Sequence, residues 1–237
     1  MRAKAGPTRL CVLLALLSPA AGLADASAHP QAWQRVGRDE LCVTAGTMGR
    51  AGQRLTIDEP TVRANVRDAR YRAAELRFTY FGPAKHERAL ASGLLRRQIG
   101  LKLRAHDTCN VVYAMWHIAP DSRIAVSVKR NPGKHRHAEC GVQGYVTISP
   151  ETATTAPAVS PGSRHVLRAE LNEDTIAVDA DGVRVFSARI DRANLDFDGP
   201  VGLRTDNGRF TFEFLVPDRD RNQPAVSYEN RNERCHE

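Results

Sequence analysis

The sequence predicts an all-β protein, a two-layer antiparallel β-sandwich stapled by disulfides. Three observations carry that prediction. Apolar residues recur with period two from Tyr71 to Phe81, from Arg96 to Val128 and again from His165 to Leu215, with almost no helical periodicity. An Asp-Gly pair, Asp181-Gly182, separates two alternating runs, as in a tight hairpin. Four cysteines, Cys42, Cys109, Cys140 and Cys235, follow an N-terminal stretch with the pattern of an export signal.

That leader comes first. Arg2, Lys4 and Arg9 form a basic start, Leu10 to Leu17 an apolar core, and small residues run from Ala20 to Ala28. Ala26-Ser27-Ala28 fits a cleavage site, with Ala24-Asp25-Ala26 and Ser18-Pro19-Ala20 as rivals, so residues 1–28 are expected to be removed on the way to a secreted or periplasmic location. The apolar run is too short to span a bilayer, and no later segment is long and apolar enough to do so. The chain has 237 residues and a net charge of +7; three basic residues and Asp25 precede position 29, so the remainder carries +5. A spread-out positive balance suits a glycan or another anionic polymer and contains no basic block that would call for specific nucleic-acid recognition. Composition says nothing of oligomeric state.

Residues 29–54 read as an N-terminal extension, 55–216 as the sandwich and 217–237 as a polar C-terminal tail. Within the sandwich, Leu55 to Ile57 and Thr61 to Val66 are short strands. In Tyr71 to Phe81, Leu76, Phe78 and Tyr80 face one way and Glu75, Arg77 and Thr79 the other, and Gly82-Pro83 ends the run. Arg96 to Arg104 puts Ile99, Leu101 and Leu103 on one face and Gln98, Lys102 and Arg104 on the opposite one. Cys109 to Ile118 is apolar in both parities, the mark of a central strand. Ile124, Val126 and Val128 define the next strand, Asn131-Pro132-Gly133 a turn, and Val146 to Ile148 a further short strand. Residues 149–163, rich in Pro, Thr, Ala and Ser, form an exposed connection. His165 to Leu171, the hairpin of Thr175 to Val178 and Val183 to Ala188, then Val201 to Arg204 and Phe210 to Leu215 complete the series. Of three possible cysteine pairings, Cys109–Cys140 brackets one hairpin and Cys42–Cys235 staples the chain ends; these are the preferred pair. The first closes a loop of roughly thirty residues, worth on the order of 3–4 kcal/mol. Without a Cys-x-x-Cys spacing, zinc is not the expected use of these thiols.

The segment Gly199-Pro200-Val201-Gly202-Leu203-Arg204, running through a polar turn into Phe210-Thr211-Phe212-Glu213-Phe214, resembles the closing strands of concanavalin A-like jelly rolls. These include laminin-G-like modules and 3-keto-disaccharide-hydrolase-like domains. His165 to Leu171 followed by the Asp181-Gly182 hairpin is similar to the same fold, and the likeness spans about residues 55–216. The resemblance implies a jelly roll that binds carbohydrate or a cell-envelope polymer, or alternatively a glycoside hydrolase or polysaccharide lyase working on the concave sheet face. Fold analogy alone assigns no activity. Laminarinase-like glucanases carry Glu-x-Asp-x-x-Glu on a strand, which is absent here. Alginate-lyase-type sandwiches carry Gln-Ile/Val-His; Gln98-Ile99-Gly100 matches two positions, with Gly100 where the base would stand.

The candidate ligand-binding set is therefore Gln98, Lys102 and Arg104 as a polar row able to bond sugar hydroxyls or carboxylates, with Trp116 and His117 on the next strand. Trp116 joins that row if Tyr113 and Met115 face the core, and it would then stack on a sugar ring. His117 is a candidate acid or base with no carboxylate partner assignable from sequence. No metal or cofactor is expected. His135-x-His137-x-Glu139 has one-sided spacing, but Lys134 and Arg136 interleave it and oppose a cation. The carboxylate pairs Asp179/Asp181 and Asp196/Asp198 sit at turns, where Asp bonds the backbone; Asp107, just before Cys109, and Glu170 are the other candidate carboxylates. No catalytic residue is assigned.

Overall fold

A computed structural model describes residues 32–67 and 70–218. About half of the described chain, 52%, is strand, and only 4% is helix. In order these are β1 (Trp33–Arg35), β2 (Leu41–Ala45), β3 (Gly49–Ala51), β4 (Arg54–Ile57), β5 (Thr61–Val66), β6 (Ala73–Pro83), β7 (Arg97–Leu103) and β8 (Val111–Ala119). They continue as β9 (Arg123–Lys129), β10 (Tyr145–Thr147), β11 (Thr152–Ala153), β12 (Arg164–Asn172), β13 (Thr175–Ala180), β14 (Val183–Arg189), β15 (Gly202–Asp206) and β16 (Gly208–Pro217). A single helical turn, α1 (His137–Cys140), precedes β10.

Two antiparallel sheets form the predicted sandwich. Among the described residues one has nine strands, ordered β11-β14-β13-β12-β6-β16-β4-β3 with β1 also on β16, and the other seven, ordered β10-β9-β8-β7-β15-β5-β2. Strands adjacent in sequence often lie far apart, which is the Greek-key wiring of a jelly roll. Segment 29–54, read from sequence as an extension, supplies β1, β2 and β3 to the two sheets. Its runs are too short and too polar to stand out by alternation; they become strands because β5, β4 and β16 offer free edges.

Period-two alternation builds the core. Leu76 and Phe78 of β6, Leu167 and Ala169 of β12, and Phe210, Phe212 and Phe214 of β16 point inward from the first sheet. They meet Val62 and Ala64 of β5, Ile99, Leu101 and Leu103 of β7, Val112, Ala114 and Trp116 of β8, and Leu203 of β15. Each buried Val, Leu, Ile or Phe among them contributes about 1.5–3 kcal/mol by leaving water. Strand β8 lies between β7 and β9 and is buried on both faces, as its sequence predicted. The β13–β14 hairpin turns at Asp181 and Gly182, with φ of 52° and 82°. Two successive left-handed residues make the tight turn that matches strand twist, which is why Asp-Gly stands there. Cys109 and Cys140 are bonded, with S–S 2.08 Å, tying the start of β8 to α1. Of the other preferred pairing, Cys42 lies in β2, while Cys235, like the leader, lies outside the described residues.

Candidate functional site

The outward face of the seven-stranded sheet holds the chemistry. Register fixes its neighbours: Gln98 pairs with His117 and Lys102 with Tyr113 across β7–β8, while Asp206 and Arg204 of β15 lie beside Gln98 and Gly100. Gly100 has no room for a side chain. An added Cβ would stand 2.5 Å from the Ala114 carbonyl oxygen and 2.7 Å from the Met115 Cα. The histidine of the lyase-type motif therefore cannot occupy this position without moving β8.

Of the residues singled out from sequence, Gln98, His117 and Lys102 do share this face, and all three are buried. Trp116 does not. It is fully buried on the core side, edge-on to Phe78 with centroids 5.7 Å apart, because Tyr113, Met115 and His117 take the outer parity of β8. Arg104 is also elsewhere. Its φ of 46° breaks the alternation one residue past β7, and its guanidinium turns to the carbonyls of Leu195 and Glu173 at the end of the sandwich. His135, His137 and Glu139 do not converge on one point; Glu139 instead accepts the backbone N–H groups of His135 and Arg136.

Residues not singled out complete the site. Fully buried Asp206 accepts a hydrogen bond from Gln98 Nε2 at 2.6 Å and from Arg204 Nε at 2.8 Å, both on Oδ2. The Arg204 guanidinium lies 5.2 Å from the Tyr113 ring centroid and donates to the Tyr145 hydroxyl at 3.4 Å. Tyr113 and Tyr145 are nearly parallel, 22° apart with centroids 6.2 Å apart. Alternation alone held a signal for Tyr113, which shares parity with His117. Nothing local in the sequence places β15 beside β7.

The electrostatics are one-sided. His117 has its pKa lowered to about 3 by burial and then by Arg96, Arg123 and Arg204. Arg123 Nε donates to His117 Nδ1 at 3.3 Å; since arginine only donates, Nδ1 holds the lone pair and the proton sits on Nε2. Lys102 donates to Asn65 Oδ1 at 2.6 Å, and burial, with Arg63 and Arg204, brings its pKa down to about 7. Lys129 is lowered to about 8 by burial and the same arginines, and donates to the carbonyls of Thr108 and Gly141. Arg63, Arg96 and Arg123 make no ion pair with a carboxylate among the described residues.

A groove of about 790 Å³ crosses this face. Arg96, Gln98, Tyr113, His117, Arg123, Tyr145 and Arg204 line it, walled by residues near 90–94 and 150–156, and no carboxylate is in its lining. Gln98 Oε1 is buried there without a hydrogen-bond partner among the described residues. An orphaned buried acceptor of this kind costs stability. Away from the groove, Ser163, His165 and Asp181 form a hydrogen-bonded chain of 2.8 Å links. Ser163 Oγ also donates to the Ser160 carbonyl at 2.5 Å, which makes the chain a tie between loop and hairpin instead of a primed nucleophile.

Two stacked antiparallel sheets in this order have the concanavalin A-like jelly-roll fold. The carbohydrate-binding module CBM66 from Bacillus subtilis superposes with a TM-score of 0.54 over 76% of this chain and 96% of that one, at 13% identity. The catalytic domain of an endo-1,3-beta-glucanase (laminarinase) from Thermotoga petrophila RKU-1 gives 0.47 over 81% and 100%, at 13% identity. Galectin LEC-6 from Caenorhabditis elegans gives 0.39 over 78% and 99%, at 9%. No protein-family model and no curated protein matches the sequence. At 13% identity the likeness to the CBM66 module establishes the fold alone.

Proposed function

We propose that this protein is exported and that the groove on its seven-stranded sheet binds an acidic polysaccharide, one bearing carboxylate or sulfate groups. The observation that carries the reading is the charge of that face. Arg63, Arg96, Lys102, Arg123 and Arg204 gather there, while the groove lining holds no carboxylate and Asp206 is buried beneath it. Tyr145, half exposed over Tyr113, offers a ring on which a sugar face stacks. Export is supported by the leader pattern of residues 1–28 and by the Cys109–Cys140 cystine, which suits an oxidising compartment.

The test is titration calorimetry of tag-free protein with alginate, polygalacturonate, dextran sulfate, laminarin and dextran. The acidic polymers bind and the neutral ones do not. Arg96→Ala and Arg123→Ala, neither of which breaks an ion pair, each weaken binding several-fold, and raising salt weakens it further. Equal affinity for neutral and acidic glycans, or binding unaffected by both substitutions, overturns the reading. A second reading, β-elimination on a uronate, is favoured by Arg96 and Arg123, which would neutralise a carboxylate; His117, whose one lone pair accepts from Arg123, would have to break that bond to act as the base. Unsaturated-uronate absorbance that disappears in His117→Ala supports it. Hydrolysis by paired carboxyls finds no pair in the groove lining.

A further inference from the structure

Three groups outside the groove come together at the joined loops on either side of β8 and β9. His106 and Asp107 belong to the β7–β8 connection, and His135 to the β9–β10 connection. One donor atom of each lies within 4.8 Å of the other two. Asp107 Oδ2 is 2.8 Å from His135 Nδ1 and 3.9 Å from His106 Nε2. The donors around a tetrahedral zinc ion, at about 2.0–2.1 Å from it, stand roughly 3.3 Å apart, between these two distances.

Each donor is also aimed. Asp107 Oδ1 accepts the backbone N–H groups of Cys109 and Asn110, both at 2.7 Å, which turns Oδ2 toward the two imidazoles. His106 Nδ1 lies 3.0 Å from the Asp198 carbonyl oxygen. A carbonyl only accepts, so that nitrogen carries the proton and Nε2 presents its lone pair toward Asp107, the outer hydrogen bond that metal-binding histidines use. The loop bearing His135 is fixed by Thr108 Oγ1 donating to the His135 carbonyl at 3.0 Å, by Asn110 Nδ2 donating to the Lys134 carbonyl at 2.9 Å, and by the Cys109–Cys140 bond.

We propose that His106 Nε2, Asp107 Oδ2 and His135 Nδ1 bind a divalent first-row transition ion of the zinc class. Two imidazoles and one carboxylate suit zinc, nickel or copper and not calcium or magnesium, which want oxygen donors. Binding moves the His135 proton from Nδ1 to Nε2, so the neutral imidazole keeps one proton and the ion replaces its hydrogen bond to Asp107. Both imidazoles are well exposed, with side chains 42% and 59% accessible, so the ion keeps open positions for water or an outside ligand. Lys134 and Arg136 lie on the same loop and oppose a cation, which holds the affinity below that of four-ligand structural sites.

The experiment uses tag-free, chelator-treated protein titrated calorimetrically with zinc chloride, and in parallel with cobalt chloride followed by visible absorption. One equivalent of zinc binds with a dissociation constant below about 10 µM, and cobalt gives d–d bands. His106→Ala and His135→Ala each weaken binding at least tenfold, while His137→Ala leaves it unchanged. Asp107→Asn disturbs the turn that Asp107 caps, so the histidine variants decide the matter. Absence of stoichiometric binding, or binding that survives in both His106→Ala and His135→Ala, overturns the proposal.

Discussion

Replacing Lys102 by methionine tests how strongly the sheet face penalises a buried positive charge. Lys102 is 3% exposed, and burial with Arg63 and Arg204 brings its pKa from 10.5 down to about 7. Between those values the unfolded chain holds a proton that the folded chain lacks, so stability rises with pH. The penalty is fully present below about pH 7 and gone above about pH 10.5. The difference corresponds to ~5 kcal/mol at its limit, or up to ~1.4 kcal/mol per pH unit inside the window. Lys102→Met removes that penalty but leaves Asn65 Oδ1 without its donor, a loss of about 1–3 kcal/mol. Net stabilisation of about 2–4 kcal/mol is expected at pH 6, shrinking to nothing or reversing by pH 10. Lys129, lowered to about 8, slopes the same way in both proteins, so the difference between them isolates Lys102. Urea unfolding of the oxidised proteins at pH 6, 8 and 9.5 reads it out. A stability difference that stays constant with pH would refute the reasoning.

Trp116→Ala costs about 3–5 kcal/mol by emptying the core beside Phe78, with unfolding midpoints as the readout; a groove aromatic would lose glycan binding with stability intact. Gly100→Ala drives a Cβ into the Ala114 carbonyl and Met115, lowering stability by about 1–3 kcal/mol or more in the same assay. Serine at both Cys109 and Cys140 opens a loop with a sequence separation of 31 and costs roughly 3–4 kcal/mol in thermal unfolding. Because that cystine also fixes the His135 loop, the same variant weakens zinc binding. For glycan binding, affinity for an acidic polymer falls as pH rises through about 7, where Lys102 loses its charge; a pH-independent affinity from 6 to 9 would exclude Lys102 from the electrostatics of binding.

Much of the strand pattern was legible because burial on one face leaves a period-two trace. Leu76, Phe78 and Tyr80, then Ile99, Leu101 and Leu103, point inward as their spacing predicted. Strand β8, apolar in both parities, is central. Trp116 misled because alternation separates two faces without saying which meets the core. The outer face went to Tyr113 and His117 once β7 and β9 had paired on either side. Arg104 misled because one residue with positive φ ends a parity rule that holds only inside a strand. His106 went unnamed and Asp107 stood only as a lone candidate carboxylate, since their partner His135 lies 28 positions from Asp107.

The sequence by itself determined the element type, the end of β6 at Gly82-Pro83 and the turn at Asp181-Gly182, since these follow from alternation and local sterics; it left three cysteine pairings open, with Cys109–Cys140 preferred, and the structure forms that bond. The tertiary structure alone decided that β15 would set Arg204 and Asp206 against Gln98, 108 positions from Asp206, that His117 would stay neutral down to about pH 3, and that Lys102 would lose its charge near pH 7. Strand order depends on the closing of the whole sandwich, and desolvation depends on what finally covers a side chain. Neither is written in the spacing of residues along one strand.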